Sequence, residues 1–110
     1  MIEIKKGKNN TYQFRLKTSE GQTLLKSVDF KSKDEVKRTL ENLSPLLKRQ
    51  SVFERRTDHA GNFLFNLKDL NGKVIGKSQC YGSEAGMENG IKNLKTRVAN
   101  ISGDPLFQRF

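Results

Sequence analysis

The stretch that decides the fold reads NFLFNLK at residues 62–68, DLNG at 69–72, KVIGKSQCY at 73–81 and SEAGMENGIKNL at 83–94. Phe63, Phe65 and Leu67 alternate with other residues, which is the pattern of a strand with one buried face. The Asn-Gly pair that follows is a strong hairpin signal, because both residues tolerate the positive φ of a primed two-residue turn. Ser83 then opens a helix. The stretch therefore predicts strand, turn, strand and helix in that order.

The same pattern occurs a second time when the chain is shifted by 51 positions, without a gap. Identical pairs include Phe65/Phe14, Leu67/Leu16, Lys68/Lys17, Gly72/Gly21, Lys77/Lys26, Ser78/Ser27, Ser83/Ser32, Asn93/Asn42 and Leu94/Leu43. We therefore predict a tandem duplication within a single domain spanning residues 1–110. Repeat one is expected at 1–50, repeat two at 51–100 and a C-terminal tail at 101–110.

Each repeat is expected to form three strands followed by one helix. In the second strand of repeat one, Tyr12, Phe14 and Leu16 alternate with polar residues. The inward face of the third strand stays open, because Leu24 and Leu25 are adjacent. The predicted fold class is α+β, with tandem β-β-β-α repeats whose antiparallel sheet is packed by two helices in a pseudo-two-fold symmetric arrangement. The sequence leaves open whether the six strands form one sheet or two.

The helices carry their own start and stop signals. Ser32 and Glu35 have the spacing of a capping box, in which the serine oxygen accepts a first-turn amide and the glutamate reaches back. One apolar stripe at helical spacing is formed by Val36, Leu40, Leu43 and Leu47. Pro45 disfavours helical geometry at the residue before it, so we expect the first helix to end or kink at Ser44. In the second helix, Gly90 predicts a close approach to the sheet.

The charge balance is the feature that bears most on function. The formal net charge is +9, with +6 on residues 1–51 and +3 on residues 52–110. A basic balance favours a polyanionic partner, although lysines on a solvated strand face can also serve only solubility. Basic residues at matched positions on the outward strand face would bind phosphates without reading sequence. The candidate nucleic-acid residues are Lys5, Arg15, Lys17, Lys26, Arg56, Lys68 and Lys77. Aromatic side chains for base stacking are missing from this predicted face.

The sequence offers no set of reactive residues that would make an enzyme. The single histidine, His59, lies in a polar turn, and the single cysteine, Cys80, lies in a strand, where a free cysteine is most often a small buried hydrophobe. One histidine and one cysteine cannot complete a zinc site. Asp58 and Asp69 lie in turns, where carboxylates commonly bind their own backbone. We predict no catalytic residues, no cofactor and no bound metal.

Membrane and export signals are also missing from the sequence. There is no run of roughly 18 apolar residues, and the first residues lack the apolar core of a signal peptide. A single cysteine cannot form an intrachain disulfide. We predict a cytoplasmic protein without membrane contact. We also predict a monomer, because two repeats in one chain supply both halves of a symmetric dimer.

The motifs resemble those of the YegP-like family of small bacterial proteins. The resemblance rests on Phe65-Asn-Leu-Lys68, the Asn-Gly turn, Ser78-Gln-Cys-Tyr81, Ser83 and Gly90-Ile91, and it covers residues 53–98 well. Repeat one departs from the pattern, with Phe30 in place of the tyrosine and Thr39-Leu40 in place of Gly-Ile. The resemblance implies an α+β fold of tandem β-β-β-α units. It implies no activity, so no site residue is carried over.

Two hypotheses about function follow. The first is a non-enzymatic small binding or interaction module whose ligand is unknown. The second is a weak, sequence-nonspecific nucleic-acid-binding protein that uses a basic sheet face. Clustering of the basic residues in the folded protein would favour the second hypothesis, and dispersal would remove its main argument.

Overall fold

The strands of the protein join in one antiparallel sheet, and the helices pack on one face of it. The structure, a computed structural model, describes residues 2–101 except for the side chain of Ile101. The strands are β1 Ile2–Lys6, β2 Tyr12–Lys17, β3 Thr23–Ser27, β4 Phe53–Thr57, β5 Phe63–Lys68 and β6 Val74–Lys77. The helices are α1 Lys33–Glu41, α2 Leu43–Leu46 and α3 Glu84–Ile101. Apart from Ile101, which is the last residue of α3, the predicted tail at 101–110 lies outside the described residues.

The strand order shows how the two halves of the chain meet. The order across the sheet is β1-β2-β3-β6-β5-β4, and all neighbours are antiparallel. The halves join along β3 and β6, where Lys26 faces Lys77 and Ser27 faces Gly76. This order confirms the predicted α+β class with an antiparallel sheet. It also answers the open question, because the six strands form one sheet.

A single hydrophobic core lies between the sheet and the helices. Phe14 and Phe65, in the middle of β2 and β5, have no exposed surface, and Phe53 packs edge-on against Phe65 with the ring centres 5.7 Å apart. The apolar helix positions join the same cluster. Burying one such side chain stabilises the fold by about 1.5–3 kcal/mol. The predicted inward faces of β2 and β5 and the predicted helix stripe are therefore confirmed.

Several contacts recur at positions 51 apart. The amide of Phe14 donates to the hydroxyl of Ser27 at 2.9 Å, and the amide of Phe65 donates to the hydroxyl of Ser78 at 2.9 Å. Both serines are buried. In each half a buried strand amide thus finds its acceptor in a serine side chain, which satisfies a donor that would otherwise be costly to bury.

A bulge explains the two adjacent leucines of β3. Leu25 faces Leu16, but Thr23 faces Lys17, so the register shifts and Leu24 is an extra residue in the strand. In a bulge, two successive residues oppose a single partner residue, and the strand bends locally. Leu24 and Leu25 are both buried as a result. Strict alternation could not assign this face.

The prediction of two helices is wrong in number, because the first is interrupted. The break lies at Asn42, with φ −95° and ψ 1°, rather than at the expected Ser44. Pro45 has no N–H to donate to the carbonyl of Glu41, and its ring crowds that carbonyl. The helix therefore breaks one turn before the proline, and α1 and α2 together replace the first predicted helix.

The Asn71-Gly72 turn differs from the predicted primed type. Gly72 has φ +84°, whereas Asn71 does not adopt positive φ. The Gly72 amide donates to the Asp69 carbonyl at 3.1 Å, and the Asp69 amide donates to the Lys73 carbonyl at 2.8 Å. This is a three-residue loop that ends in a left-handed glycine. Asp69 selects it, because its Oδ1 accepts the amides of Asn71 and Lys73.

Candidate polyanion-binding surface

The strands place the predicted basic residues on one face of the sheet. In β2, Phe14 and Leu16 point towards the helices, so Arg15 and Lys17 lie on the opposite face, which we call the open face. The same alternation and the strand registers assign the others. The open face carries all seven candidates: Lys5, Arg15, Lys17, Lys26, Arg56, Lys68 and Lys77. The seven predicted candidates therefore share one face of the sheet.

One row of cross-strand neighbours crosses the whole open face. We call it the central row, and in register order it consists of Glu3, Arg15, Lys26, Lys77, Asn66 and Glu54. Neighbouring strands lie about 4.8 Å apart, so the row extends over about 24 Å. Three of its four inner members are cations, the fourth is Asn66, and its two ends are carboxylates. The positive charge is thus concentrated where the two halves of the sheet join.

Glu3 compensates two of the candidate cations at one end of the row. Its carboxylate lies 3.1 Å from Lys17 Nζ and 3.3 Å from Lys5 Nζ. The hydrogen bond from Lys17, with a smaller contribution from Lys5, lowers the pKa of Glu3 below its ordinary value. The glutamate therefore stays ionised at neutral pH and reduces the positive potential around Lys5 and Lys17.

Glu54 does the same at the other end. Its carboxylate lies 2.9 Å from Lys68 Nζ and 3.7 Å from Arg56 Nη1, and it accepts the side-chain amide of Asn66 at 3.1 Å. The bond from Lys68 and then that from Asn66 lower the pKa of Glu54. Sequence reasoning missed both glutamates. The signal was available, since Glu3 and Glu54 are 51 positions apart and each lies within a predicted strand.

The centre of the row carries cations without such compensation. Among residues 2–101, none of Arg15, Lys26 and Lys77 forms an ion pair. Lys26 and Lys77 are exposed and directly opposite each other, an arrangement that repels like charges. Arg15 is half-buried, and its Nε is buried without an acceptor within the described part of the chain. An anionic oxygen above Lys26 and Lys77 would reduce the repulsion between them.

The open face offers no aromatic platform within residues 2–101. Tyr12, Phe14, Phe63 and Phe65 all belong to the core or pack against it on the helix side. The open face has two apolar members in these strands, Leu64 opposite Arg56 and Val74 opposite Lys68. Contacts to phosphate are therefore the chemistry that this surface supports, whereas stacking on bases is not.

Cys80 differs from its prediction as a buried strand residue. It is exposed, and its Sγ lies 3.6 Å from Asp58 Oδ2. Strand β6 ends before Cys80, and the bridge between Phe63 and Tyr81 turns Tyr81 towards the core, which leaves the preceding side chain outside. Asp58 acts as predicted for a turn residue, because its Oδ1 accepts the amides of Ala60 and Asn62.

The carboxylate of Asp58 is engaged mainly by the backbone. The amide of Asn62 is the main cause of the lowered pKa of Asp58, and Cys80 contributes least. His59 is exposed in the same turn. Within the described residues, no three histidine, cysteine, aspartate or glutamate side chains group as metal ligands. In that same part of the chain, no helix combines the length and the apolar character that crossing a bilayer requires.

Comparison with known proteins gives the family. A family model described as a domain of unknown function (DUF1508) matches residues 58–101. A UPF0339 protein of Pseudomonas aeruginosa is 35% identical over 105 residues, which are 94% of this chain and 96% of that protein. The chain belongs to the UPF0339 family. Escherichia coli YegP is a further similar member, 32% identical over 94 residues that make up 86% of each chain. The resemblance to YegP-like proteins is thus confirmed.

Solved structures of the family have the same fold. The solution NMR structure of Escherichia coli YegP has a TM-score of 0.80 with this chain at 31% identity, covering 88% of this chain and 84% of that one. The solution NMR structure of a UPF0339 protein from Shewanella oneidensis has a TM-score of 0.80 at 28% identity, with coverage of 88% and 82%. The E. coli protein is described as a protein of unknown function, so the family relationship supplies a fold and no activity.

Proposed function

We propose that this protein is a non-enzymatic binding module whose ligand-binding surface is the open face of the sheet. The observation that supports this is the central row, in which Arg15, Lys26 and Lys77 are adjacent across three strands without ion pairs within residues 2–101. Such a cluster costs free energy through repulsion in the unliganded protein. A bound anion would recover that free energy.

The ligand class that fits is a polyanion, and nucleic acid bound without sequence recognition is the specific candidate. Lysine and arginine at strand spacing contact successive phosphates, while the absence of aromatic groups from the described open face leaves bases unread. Glu3 and Glu54 limit the cationic stretch to the centre of the sheet. The footprint is therefore short, with about three phosphate contacts, and binding is weak.

Fluorescence anisotropy with a short labelled duplex and a labelled single strand tests this function. With three contacts, raising salt from 50 to 200 mM should weaken duplex binding roughly fortyfold and single-strand binding roughly twentyfold. The double variant Lys26→Glu/Lys77→Glu should abolish binding to every sequence alike. The double variant Glu3→Gln/Glu54→Gln should strengthen binding and steepen its salt dependence, because it removes the two negative charges that reduce the positive potential of the open face.

The matched control is Lys48→Glu/Lys92→Glu, which makes the same change in net charge at exposed positions outside the sheet. It should weaken binding only slightly, through the long-range field. Equal losses in the two charge-reversal variants would show that net charge and not the central row attracts the ligand. No binding at 50 mM salt would remove the nucleic-acid function.

We propose that residues 1–50 and 51–100 are tandem β-β-β-α units of one domain, related by a pseudo-two-fold axis where β3 meets β6, in a monomeric cytoplasmic protein. The recurring serine contacts of Phe14 and Phe65 support this design. The matched positions of Lys26 and Lys77 also support it, since such an axis would pass between them and make the central row nearly symmetric.

A further inference from the structure

A groove of about 650 Å³ lies on another part of the molecule, between the break in the first helix and the turn that joins β5 to β6. Its apolar lining comes from Phe30, Pro45, Leu46, Leu70 and Ile75. Pro45 and Leu46 belong to α2, so the break at the preceding residues shapes this wall. The volume falls within the usual range for small-molecule sites, which is about 300–1,000 Å³.

Leu70 is the unusual residue of the groove. Among the described residues it is the one large hydrophobic side chain that is exposed, at 67%. It occupies the tip of the Asp69–Lys73 loop, where a polar residue would cost nothing. The position 51 residues earlier, at the tip of the β2–β3 loop, is Ser19. The hydrophobic loop tip is therefore specific to this side of the protein.

The groove also carries three cations, contributed by Arg38 of α1, Arg49 after α2 and Lys73 of the loop. Within residues 2–101 none of the three forms an ion pair. The residues 51 positions away from them are all neutral, namely Asn89, Asn100 and Gln22 respectively. Positive charge and exposed apolar surface thus coincide at one groove, whereas the residues matched to these three cations and to Leu70 are all uncharged and polar.

Two carboxylates, Glu35 and Asp69, line the same groove. Both are engaged in local structure. Glu35 Oε2 accepts the backbone amide of Lys31 at 3.2 Å next to the start of α1, and Asp69 Oδ1 accepts two amides of its own loop at 2.9 Å. With three cations against two engaged carboxylates, the groove is complementary to a ligand with an apolar body and a negative charge.

We propose that this groove binds a small amphipathic carboxylate, a molecule with an unbranched or ring-shaped apolar body and a single acid group. The apolar body packs between Leu70 and α2, where it covers the exposed leucine. The carboxylate lies at the rim and accepts hydrogen bonds from Arg49 and Lys73. This site is separate from the open face of the sheet and does not depend on polyanion binding there.

The test is an NMR titration of the ¹⁵N-labelled protein with sodium decanoate below its critical micelle concentration. Decyltrimethylammonium, which has the same chain length and the opposite charge, serves as the matched probe. Decanoate should shift amides within 38–49 and 69–75 saturably, and the cationic probe should bind there at least about tenfold more weakly. Arg49→Asn and Lys73→Gln, which introduce the residues of the matched positions, should each weaken decanoate binding roughly fivefold.

Leu70→Ser should weaken decanoate binding roughly tenfold, because the ligand loses its main apolar contact. Lys92→Gln, an exposed change on α3, should leave it unchanged. Equal affinity for the two probes would overturn the proposal, as would shifts confined to the open face or affinities that the groove variants do not alter. Concentration-dependent dimerisation that Leu70→Ser abolishes would also overturn it, by identifying a second copy of the chain as the occupant.

Discussion

The contact between Tyr81 and Gly90 predicts a sign reversal in a common stabilising substitution. Replacing a helical glycine by alanine ordinarily stabilises a helix by up to about 1 kcal/mol. A Cβ atom at Gly90 would overlap Oη and Cζ of Tyr81 and lie 3.0 Å from its Cε2. Such overpacking costs about 1–3 kcal/mol. We therefore expect Gly90→Ala to lower the free energy of unfolding by about 1 kcal/mol.

The first half of the chain indicates how this cost can be relieved. Phe30 is matched to Tyr81 and Thr39 is matched to Gly90, each 51 positions earlier. In the first half, the helix position thus carries a side chain and the ring lacks the hydroxyl group. Tyr81→Phe removes the atom that a Cβ at Gly90 would meet first. In a double-mutant cycle, Gly90→Ala should therefore cost about 1 kcal/mol less in the Phe background than in the Tyr background. In the first half, Phe30→Tyr should destabilise the protein, because Thr39, at the position matched to Gly90, has a side chain where the hydroxyl would meet a glycine in the second half.

Urea denaturation followed by circular dichroism measures all four members of the cycle, provided that the m-value stays constant. The hydrogen bond from Gln79 Nε2 to Tyr81 Oη is 3.4 Å long, so its loss in Tyr81→Phe should contribute little. If Gly90→Ala stabilises the protein, or if the two changes are additive, the Tyr81 ring does not require the space that the absent Cβ of Gly90 leaves. The reasoning from close packing would then be wrong.

Three further outcomes are expected. Phe65→Ala should lower the free energy of unfolding by about 3–5 kcal/mol, because the ring is fully buried; a melting temperature within a few degrees of the parent would contradict this. The hydrogen bonds from Lys17 and Lys68 lower the pKa of Glu3 and Glu54 respectively. The stability that the two ionised glutamates contribute is therefore complete above their ordinary pKa of 4.5 and is lost as pH falls through the lowered pKa values. Glu3→Gln/Glu54→Gln should flatten that acid limb in urea titrations at successive pH values. Light scattering at moderate salt should give one chain mass, and a stable dimer would contradict the predicted monomer.

Much of the fold could be predicted because strand alternation and loop signals are local. Alternation in β2 and β5 identified Phe14 and Phe65 as buried, and the same alternation identified the outward lysines. Two predictions that were wrong, the position of the helix break and the type of turn, each depended on a choice between two similar local backbone geometries. The position of the helix break depended on the carbonyl four residues before Pro45, and the turn type depended on the Asp69 side chain, which competes with the preference of the Asn-Gly pair.

The candidate site could be predicted only as a set of cations and not as an electrostatic surface. Sequence alternation assigns a side chain to a face, but the potential of that face depends on which charges lie opposite each other. The register brings Glu3 within reach of Lys17 and Glu54 within reach of Lys68, while it brings Lys26 against Lys77. The register follows from the turns and bulges, so the sequence could not rank the seven candidates.

Residues matched at a distance of 51 positions differ in the core at the junction of β3 and β6 but are identical on the open face above it. Where β3 meets β6, the matched residues are Leu25 and Gly76. A Cβ at Gly76 would lie 3.0 Å from the Leu25 side chain, so there is room for one leucine side chain at this point and not for two. Lys26 and Lys77 follow directly and are identical. The core at this junction therefore differs between the halves, while the charge above it is the same. Packing explains the difference, because two large side chains would collide there. It does not explain why both matched positions are lysine, since the two side chains repel each other and a negative charge at the centre of the sheet would reduce that repulsion.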